Sequence, residues 1–477
     1  MNGPGDFAPW RRSLALVVGR HHGAQPAWPE TKIASVKCFN LSQTRSIKTP
    51  CPFRPTVTAM RHDESDAAER FAAFRHRSFT RYWIARFLSA FGMQVISVAV
   101  GWQIYDLTRN PFDLGLIGLV QFLPSLVLIL VTGAVADRFG RRMIMGICEI
   151  VALFAAAALV FLTLRGLTSP LPVFAVLLVI GIARAFFAPA STSLAPNLVP
   201  EQDLANAIAW NSMSWQGATI LGPVAGGLLY GLGASVPYWT SVVLFFIGAV
   251  LIFSIPRPEQ QRGVHNQSWE TLSAGFRYIW REKIVLGAIS LDMFAVLLGG
   301  AVALMPVFAR DILELGPWGL GLLRAAPGVG AVAMALYLAA HPFRSRAGAT
   351  MFIAVGIFGA ATTVFGMSTI AWVSIAALAV MGAADMISVY VRQTLIQLWT
   401  PDALRGRVSA VNMVFIGASN ELGEFRAGGM AALIGAVPAV VVGGIGAMGV
   451  AGVWAILFPA LRNIQRLRKV DRQSQIV

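Results

Sequence analysis

This 477-residue sequence carries very little charge. Asp, Glu, Lys and Arg make up 13% of its residues and hydrophobic residues 56%. A soluble domain carries about 25% charged residues. With a mean hydropathy of +0.65, the chain cannot cover itself with polar surface. We therefore predict that the lipid bilayer is its solvent and that the chain crosses it repeatedly.

Groups suited to catalysis and metal binding are also scarce. The three cysteines, Cys38, Cys51 and Cys148, show no disulfide or metal-ligand spacing. The six histidines fall in predicted tails or loops, and no catalytic triad or phosphate-binding loop is present. We predict that the protein is not an enzyme, has no metal site, needs no cofactor and is not driven by ATP.

The long apolar runs predict helices. They are about twice the length of a membrane-barrel strand and do not alternate in polarity, and a helix satisfies its own backbone hydrogen bonds in lipid. Six runs precede a polar segment and six follow it. We predict an all-α polytopic membrane protein with twelve transmembrane helices in two six-helix halves around a central cavity. The predicted spans cover residues 82–105, 113–134, 143–164, 171–190, 204–230, 236–255, 284–309, 318–340, 349–367, 371–397, 404–434 and 437–460.

The predicted organisation has five parts. They are a basic, disordered N-terminal extension at 1–78, a first half at 79–255, a cytoplasmic linker at 256–283, a second half at 284–461 and a basic tail at 462–477. Because an ordinary leader begins at Met60, we predict that translation starts there. An organelle transit segment is the alternative explanation of the extension.

The net charge of +15 has two interpretations, nucleic-acid binding and the excess of Lys and Arg in cytoplasmic loops. The arginines lie in short loops between apolar runs, which favours the second, so we predict no nucleic-acid partner. With the N-terminus in the cytoplasm, the outside loops hold only Arg109, Arg165 and Arg310. We predict a monomeric multi-pass protein of the inner or plasma membrane with both termini in the cytoplasm.

The loop between the second and third spans carries the sharpest motif. Its members are Gly133, Asp137, Arg138, Gly140, Arg141 and Arg142. A charged turn would explain the arginines but not the carboxylate and glycines. The motif resembles the loop motif of the major facilitator superfamily. The resemblance implies a conformational latch in which Asp137 faces the positive N-terminus of the eleventh helix, between Asp402 and Arg405.

The fifth span contains a second motif, which is rich in small residues. Its members are Ala218, Gly222, Pro223, Gly226 and Gly227. These residues form a face for close helix packing, and they also resemble the fifth-helix motif of superfamily exporters, with Ala218 where the family usually has glycine. Both interpretations can hold.

Further segments narrow the resemblance. Residues 102–108 and 419–428 are similar to the branch that contains enterobactin exporters and macrolide efflux proteins. The resemblance covers about residues 75–465. It implies export of a bulky, partly apolar compound such as a siderophore, a drug or a macrolide.

Charged residues inside the predicted spans are candidate functional groups, because each costs about 2.5–3.5 kcal/mol if bare in lipid. They are Arg86, Glu149, Arg184, Asp292, Arg324, Asp385, Arg392, Glu421, Glu424 and Arg426. Structural ion pairing between helices is the alternative role. For Arg392 the alternative to a functional role is extension of the side chain to the membrane surface. Glu421, Glu424 and Arg426 are predicted to form a local network, which is either structural or functional.

Asp292 and Asp385 fall on the seventh and tenth spans, which line the cavity in the superfamily. Arg184 matches a family position at which a buried arginine influences proton coupling. A carboxylate in an apolar cavity can bind and release a proton near neutral pH. We predict that Asp292 or Asp385 carries the coupling proton and that Arg184 sets its affinity.

The sequence thus predicts a secondary active transporter that exports a small molecule in exchange for protons by alternating access. An uptake transporter of the same fold is one alternative, and a non-transporting membrane sensor or scaffold is another. The loop motif and the cavity carboxylates favour transport over the latter.

Overall fold

The computed structural model describes residues 71–257, 269–341 and 346–465. The chain divides into two units, Met1–Ala59 and Met60–Val477, and all the described residues belong to the second. The predicted start at Met60, the predicted disorder before residue 71 and most of the basic tail lie outside the described residues.

The described residues are helical and contain no strand, which confirms the predicted all-α membrane fold. The helices of the first half are α1 (Arg77–Thr108), α2 (Pro111–Arg138), α3 (Arg141–Arg165), α4 (Leu171–Leu194), α5 (Leu204–Leu232) and α6 (Val236–Phe253). A linker helix spans Trp269–Arg281. The helices of the second half are α7 (Lys283–Gly299), α8 (Gly316–Ala340), α9 (Ala347–Met367), α10 (Ala371–Trp399), α11 (Asp402–Ile434) and α12 (Ala436–Leu457).

Length and hydropathy identify ten segments of the described chain that could cross a membrane. One of them joins α7 to the short turns that follow it, as Lys283–Ile312. The helices α5 and α11, of 29 and 33 residues, are as long but more polar, and they are not among the ten. The count of twelve spans therefore stays a prediction. Large apolar side chains such as Leu433 and Leu232 are 85% and 78% exposed, as expected of a surface in contact with lipid.

Local signals define the tight turn between α1 and α2. Arg109 adopts a left-handed conformation with φ of 53° and ends α1. Asn110 then caps α2, because its side chain accepts a hydrogen bond from the backbone N–H of Phe112 at 3.1 Å. Pro111 occupies the first helical position, where the backbone N–H that proline lacks would have no hydrogen-bond partner within the helix. The turn therefore places the charged residues around Arg109 at one end of the bundle. We call this end the Arg109 end and the opposite end the Arg141 end.

The helix α7 breaks within a segment that could cross a membrane, Lys283–Ile312. After Gly299 the chain continues through short turns at Val302–Leu304 and Met305–Val307 and a π-helical turn at Phe308–Ile312. The backbones of α7 and α11 touch here, since a Cβ on Gly423 would lie 2.9 Å from the carbonyl oxygen of Val296. Such a break leaves carbonyl groups that need new hydrogen-bond donors in the apolar core.

Two segments assigned to extensions or linkers belong to the packed structure. Residues 71–78 were predicted to be disordered, but Phe74 packs against Trp83 and Trp210 with ring centroids 5.3 and 5.0 Å apart. The aromatic side chains give this segment apolar surface to bury. The linker helix lies against the second half, where the Tyr278 hydroxyl donates a hydrogen bond to the Trp399 carbonyl at 2.6 Å.

The two halves meet through the pairs α2–α11 and α5–α8, close to the Arg109 end. A Cβ on Gly115, near the start of α2, would lie 3.0 Å from the carbonyl oxygen of Phe425. A Cβ on Gly428, near the end of α11, would lie 2.8 Å from the carbonyl oxygen of Pro111. Glycines therefore allow backbone-to-backbone contact between the halves at this end.

Candidate functional site

A buried cluster of three charges joins α7 to α10. Asp292 and Arg392 form an ion pair, and their side chains are 7% and 3% exposed. Asp385 lies about two helical turns before Arg392 and interacts electrostatically with both groups. Extension of Arg392 to the membrane surface was one of two interpretations of this residue. The structure does not support it, because the carboxylate of Asp292 binds the Arg392 side chain inside the second half.

Both aspartates line a small cavity of about 10 Å³, which is room for one water-sized species. Ser388 lines it together with apolar side chains, and the buried Ser388 hydroxyl has no hydrogen-bond partner among the described residues. Two carboxyls and one guanidinium are neutral together only when one carboxyl holds a proton. The cluster therefore has the composition of a site that holds one exchangeable proton.

A second charged cluster lies between the halves. Glu421 and Glu424 stand on one face of α11, one turn apart. They face Gly118 of α2, where a Cβ would lie 2.6 Å from Glu421 Oε2 and 3.3 Å from Glu424 Oε2. The absence of a side chain at Gly118 thus makes room for two carboxylates at the boundary between the halves.

Two arginines complete this interface cluster. Arg184 of α4 interacts electrostatically with both glutamates, and Arg324 of α8 with Glu424. Arg184 also donates a hydrogen bond to Gln121 at 3.3 Å, and Arg324 donates one to Ser97 of α1 at 2.7 Å. With two carboxylates and two guanidiniums, the cluster is balanced in charge while it connects the halves.

The structure separates some residues that sequence reasoning grouped. Arg184 interacts with the glutamates of α11. The cation that acts on both Asp292 and Asp385 is the guanidinium of Arg392. Arg426 is on the opposite face of α11 from Glu424, because residues two apart on a helix do not face each other. It donates hydrogen bonds to the carbonyls of Leu297, at 2.8 Å, and Leu298, at the break of α7.

The small residues of the α5 motif act at two interfaces. Ala218 is fully buried. A Cβ on Gly222 would lie 2.6 Å from Gln94 Cβ, and one on Gly226 would lie 3.1 Å from Val95 Cα, so both pack against α1. Gly227 faces α8 of the other half. In turn, a Cβ on Gly321 of α8 would lie 2.6 Å from the carbonyl oxygen of Pro223. The motif therefore brings together α1, α5 and α8.

The loop motif is described in part. Gly133, Asp137 and Arg138 belong to α2, but their side chains lie outside the described structure, so the latch between Asp137 and α11 stays a prediction. Gly140 precedes α3 as its N-cap. Arg141 donates to the Ser193 carbonyl at 2.8 Å, and Arg142 to the Ile252 carbonyl at 3.1 Å and to that of Phe253. These arginines thus bind the carbonyl ends of α4 and α6, where cations are favourable.

Sequence reasoning missed a set of ion pairs at the Arg109 end. Arg310 pairs with Asp106, and Arg109 pairs with Asp311 at 3.2 Å. The Tyr105 hydroxyl donates to Asp311 as well. Each half contributes one arginine and one aspartate, so the pairs hold the end of α1 against the π-helical turn that follows α7. The signal in the sequence was that two of the three arginines predicted to lie outside, Arg109 and Arg310, have an aspartate within three residues.

One buried carboxylate belongs to neither cluster. Glu149 of α3 is 1% exposed and accepts a hydrogen bond from Ser89 of α1. A Cβ on Gly248 of α6 would lie 3.2 Å from its Oε2 atom. Glu149 therefore lies within the packing of α1, α3 and α6 in the first half.

Two packed sets of helices, charge clusters within and between them, and glycine contacts at one end are features of a membrane transporter, and the match to a family model and to related exporters places the chain in the major facilitator superfamily. The family model described as "transmembrane secretion effector" matches residues 68–475, and the chain belongs to this family.

Relatives and solved structures agree with this assignment. The chain is 26% identical over 409 residues to the enterobactin exporter EntS of Citrobacter koseri, covering 82% of this chain and 94% of the relative. It is 26% identical over 416 residues to EntS of Escherichia coli O1:K1 / APEC, covering 83% and 95%. Among solved structures, a bacterial homologue of the iron transporter ferroportin in an inward-facing state has a TM-score of 0.61 at 15% identity, covering 81% and 99%. The nucleoside transporter NupG has a TM-score of 0.60 at 15% identity, with the same coverage. These structures bear on the fold alone.

Proposed function

We propose that the protein is a proton-coupled exporter of a bulky, partly apolar small molecule, and that a siderophore of the enterobactin kind is the first compound to test. Membership in the secretion-effector family and the similarity to EntS support this proposal. The observation that carries the coupling is the buried cluster of Asp292, Asp385 and Arg392, which has one carboxyl more than it has cations.

The proposed coupling follows from the cost of a buried charge. When one carboxyl of the cluster holds a proton, the cluster is neutral and its burial is tolerated. Loss of the proton leaves one negative charge in an apolar environment, which favours the conformation that admits water to the site. Protonation and the position of the second half thereby become linked.

The proposed orientation places both termini in the cytoplasm of a bacterial-type inner or plasma membrane, with a single chain as the transporting unit. The Arg109 end then faces outward. Because the described contacts between the halves concentrate at that end, the conformation is closed to the outside and suited to receive a substrate from the cytoplasm. Export requires rocking that breaks the interface cluster and the ion pairs at the Arg109 end. In this scheme Asp137 holds the opposite, outward-open state by its contact with the start of α11.

The proposal is tested with the purified protein in proteoliposomes of both orientations, with radiolabelled enterobactin and a pH gradient. The wild type should move enterobactin out of the cytoplasmic compartment in exchange for protons that move into it. Asp292→Asn and Asp385→Asn should each lose the dependence on the gradient, whereas Glu201→Gln, at an exposed loop position, should keep it.

Full gradient-dependent efflux by both asparagine variants would refute the coupling site. Movement only in the opposite direction would establish uptake instead of export. Binding of enterobactin without movement in either orientation would favour the sensor or scaffold alternative. A separate variant, Asp137→Asn, should cycle more slowly while its thermal stability stays unchanged, and a wild-type rate would count against the latch.

A further inference from the structure

The face of the first half that meets the second half carries two guanidinium groups. Arg86 lies about three helical turns before Ser97 on α1, so the two residues share a face. Ser97 accepts a hydrogen bond from Arg324 of the second half at 2.7 Å, so this face of α1 points toward the second half. Arg86 is half-buried and therefore lies along the boundary between the halves, closer to the Arg141 end.

Neutral groups hold the Arg86 side chain in place. Its Nη1 atom donates to the Ser191 hydroxyl and, at 3.5 Å, to the Tyr82 hydroxyl. Tyr82 itself donates to the Ser191 carbonyl at 2.9 Å and accepts from Asn211 at 3.3 Å. The Nε atom of Arg86 is buried and has no hydrogen-bond partner among the described residues. The side chain is thus fixed by hydroxyls that leave its positive charge uncompensated.

Arg184 lies on the same face of the first half as Arg86. It lies about two helical turns before Ser191 on α4, so the two residues share a face, roughly 10 Å apart along the helix axis. Its side chain is exposed, and the carboxylates that act on it, Glu421 and Glu424, come from the other half. Among the described residues of the first half, the buried carboxylate Glu149 accepts a hydrogen bond from Ser89 through Oε1 and lies in the packing of α3, not beside Arg86.

We propose that Arg86 and Arg184 form the binding site for an anionic substrate, namely a compound with carboxylate or phenolate groups on an apolar body. Guanidinium groups suit this role, because they stay charged when desolvated and bind planar acidic groups through paired N–H donors. Two such groups, with Arg86 bound at Ser191 and Arg184 about two turns away along α4, suit a bulky compound with more than one acidic group. This inference rests on the proposed function in one respect, that the space between the halves is where the substrate binds.

The proposed site also explains how binding acts on the interface cluster. An anion on Arg184 competes with Glu421 and Glu424 for the same guanidinium. The cluster, balanced in charge without substrate, then holds one carboxylate in excess, which weakens the contact between α4 and α11. Substrate binding therefore loosens the closed Arg109 end, as an exporter requires before it opens outward.

The test uses full-length protein in detergent, with no gradient, and two dyes of the same xanthene skeleton but opposite charge. Binding of 5-carboxyfluorescein and of rhodamine 6G is followed by fluorescence anisotropy. We expect carboxyfluorescein to bind more tightly and Arg86→Gln and Arg184→Gln each to weaken it about tenfold or more. The matched control is Arg165→Gln at the exposed end of α3, which should bind carboxyfluorescein like the wild type.

Equal affinity for the two dyes, or unchanged carboxyfluorescein binding by both glutamine variants, would overturn the proposal. Should Arg86→Gln fail to fold, Arg86→Lys keeps the charge and should retain part of the binding, and its complete loss would contradict the electrostatic role. Because no transport is measured, the outcome is separate from that of the export experiment. Charge-selective binding with failed proton-driven efflux would sustain this site and reject the coupling.

Discussion

Replacing Gly227 with alanine should open the Arg109 end of the molecule. A Cβ at this position would lie 2.5 Å from the Pro317 carbonyl oxygen and 3.1 Å from both the Gly321 nitrogen and Trp318 Cα. The first distance is about 0.9 Å shorter than the 3.4 Å at which ordinary contact begins. The neighbouring atoms belong to the backbone of α8 and cannot rotate away, so α5 and α8 have to separate.

The cost falls on the closed conformation only. Overpacking of this kind costs about 1–3 kcal/mol, which corresponds to a shift of about 5- to 150-fold in the ratio of open to closed molecules. Alanine also stabilises a helix by about 1 kcal/mol relative to glycine. Gly231→Ala, one turn further along α5, supplies a matched control for that effect, because nothing lies within 4 Å of its Cβ position.

Double electron–electron resonance provides the measurement. Spin labels on cysteines introduced at Leu232 and Ile434 report the distance between the ends of α5 and α11, and both positions are exposed enough to accept a label. The three native cysteines are first replaced. We expect a longer distance to become populated in Gly227→Ala and the wild-type distribution to persist in Gly231→Ala. Identical distributions in the two variants would refute the idea that backbone contact at Gly227 is required for closure.

Three further results are expected. A double-mutant cycle on Asp106 and Arg310, whose side chains are 47% and 24% exposed, should give a coupling of about 0.2–1 kcal/mol in the same distance measurement, and the charge-exchanged double variant should recover closure. Arg426→Leu should lower the free energy of unfolding by about 1.5–3 kcal/mol in a detergent unfolding titration, because carbonyls at the break of α7 lose a charged donor. Gly118→Ala should displace Glu421, because its Oε2 would lie 2.6 Å from the new methyl group. The spin-label distance should then lengthen as it does in Gly227→Ala. An unchanged distance would exclude a role of this contact in closure.

The helices could be predicted closely from the sequence because apolar runs determine where a chain can remain in lipid. The tenth span was predicted at 371–397 and the helix covers Ala371–Trp399. The segment before α1 was harder, because Phe74 is held not only by Trp83 of α1 but also by Trp210 of α5, more than 100 residues away.

The charged sites were predicted as residues but not as partners. Helical periodicity alone could have separated Arg426 from Glu424. The electrostatic interaction of Arg184 with the glutamates of α11 depends on how the two halves are rotated against each other, which no local pattern encodes. The same is true of Arg392, whose partner Asp292 lies on another helix.

The broken seventh helix has a mechanical consequence. Its first part carries Asp292, and its final turn carries Arg310 and Asp311, so one continuous segment of chain connects the proposed proton site to the outer ion pairs. Arg426 fixes the joint between the two parts by binding the carbonyls at the break. In the proposed mechanism, the stiffness of that joint decides whether protonation of Asp292 or Asp385 changes the ion pairs at the Arg109 end. A loosened joint would then let protons pass without substrate, so the number of substrate molecules moved per proton would depend on Arg426, which contacts neither the proton site nor the substrate.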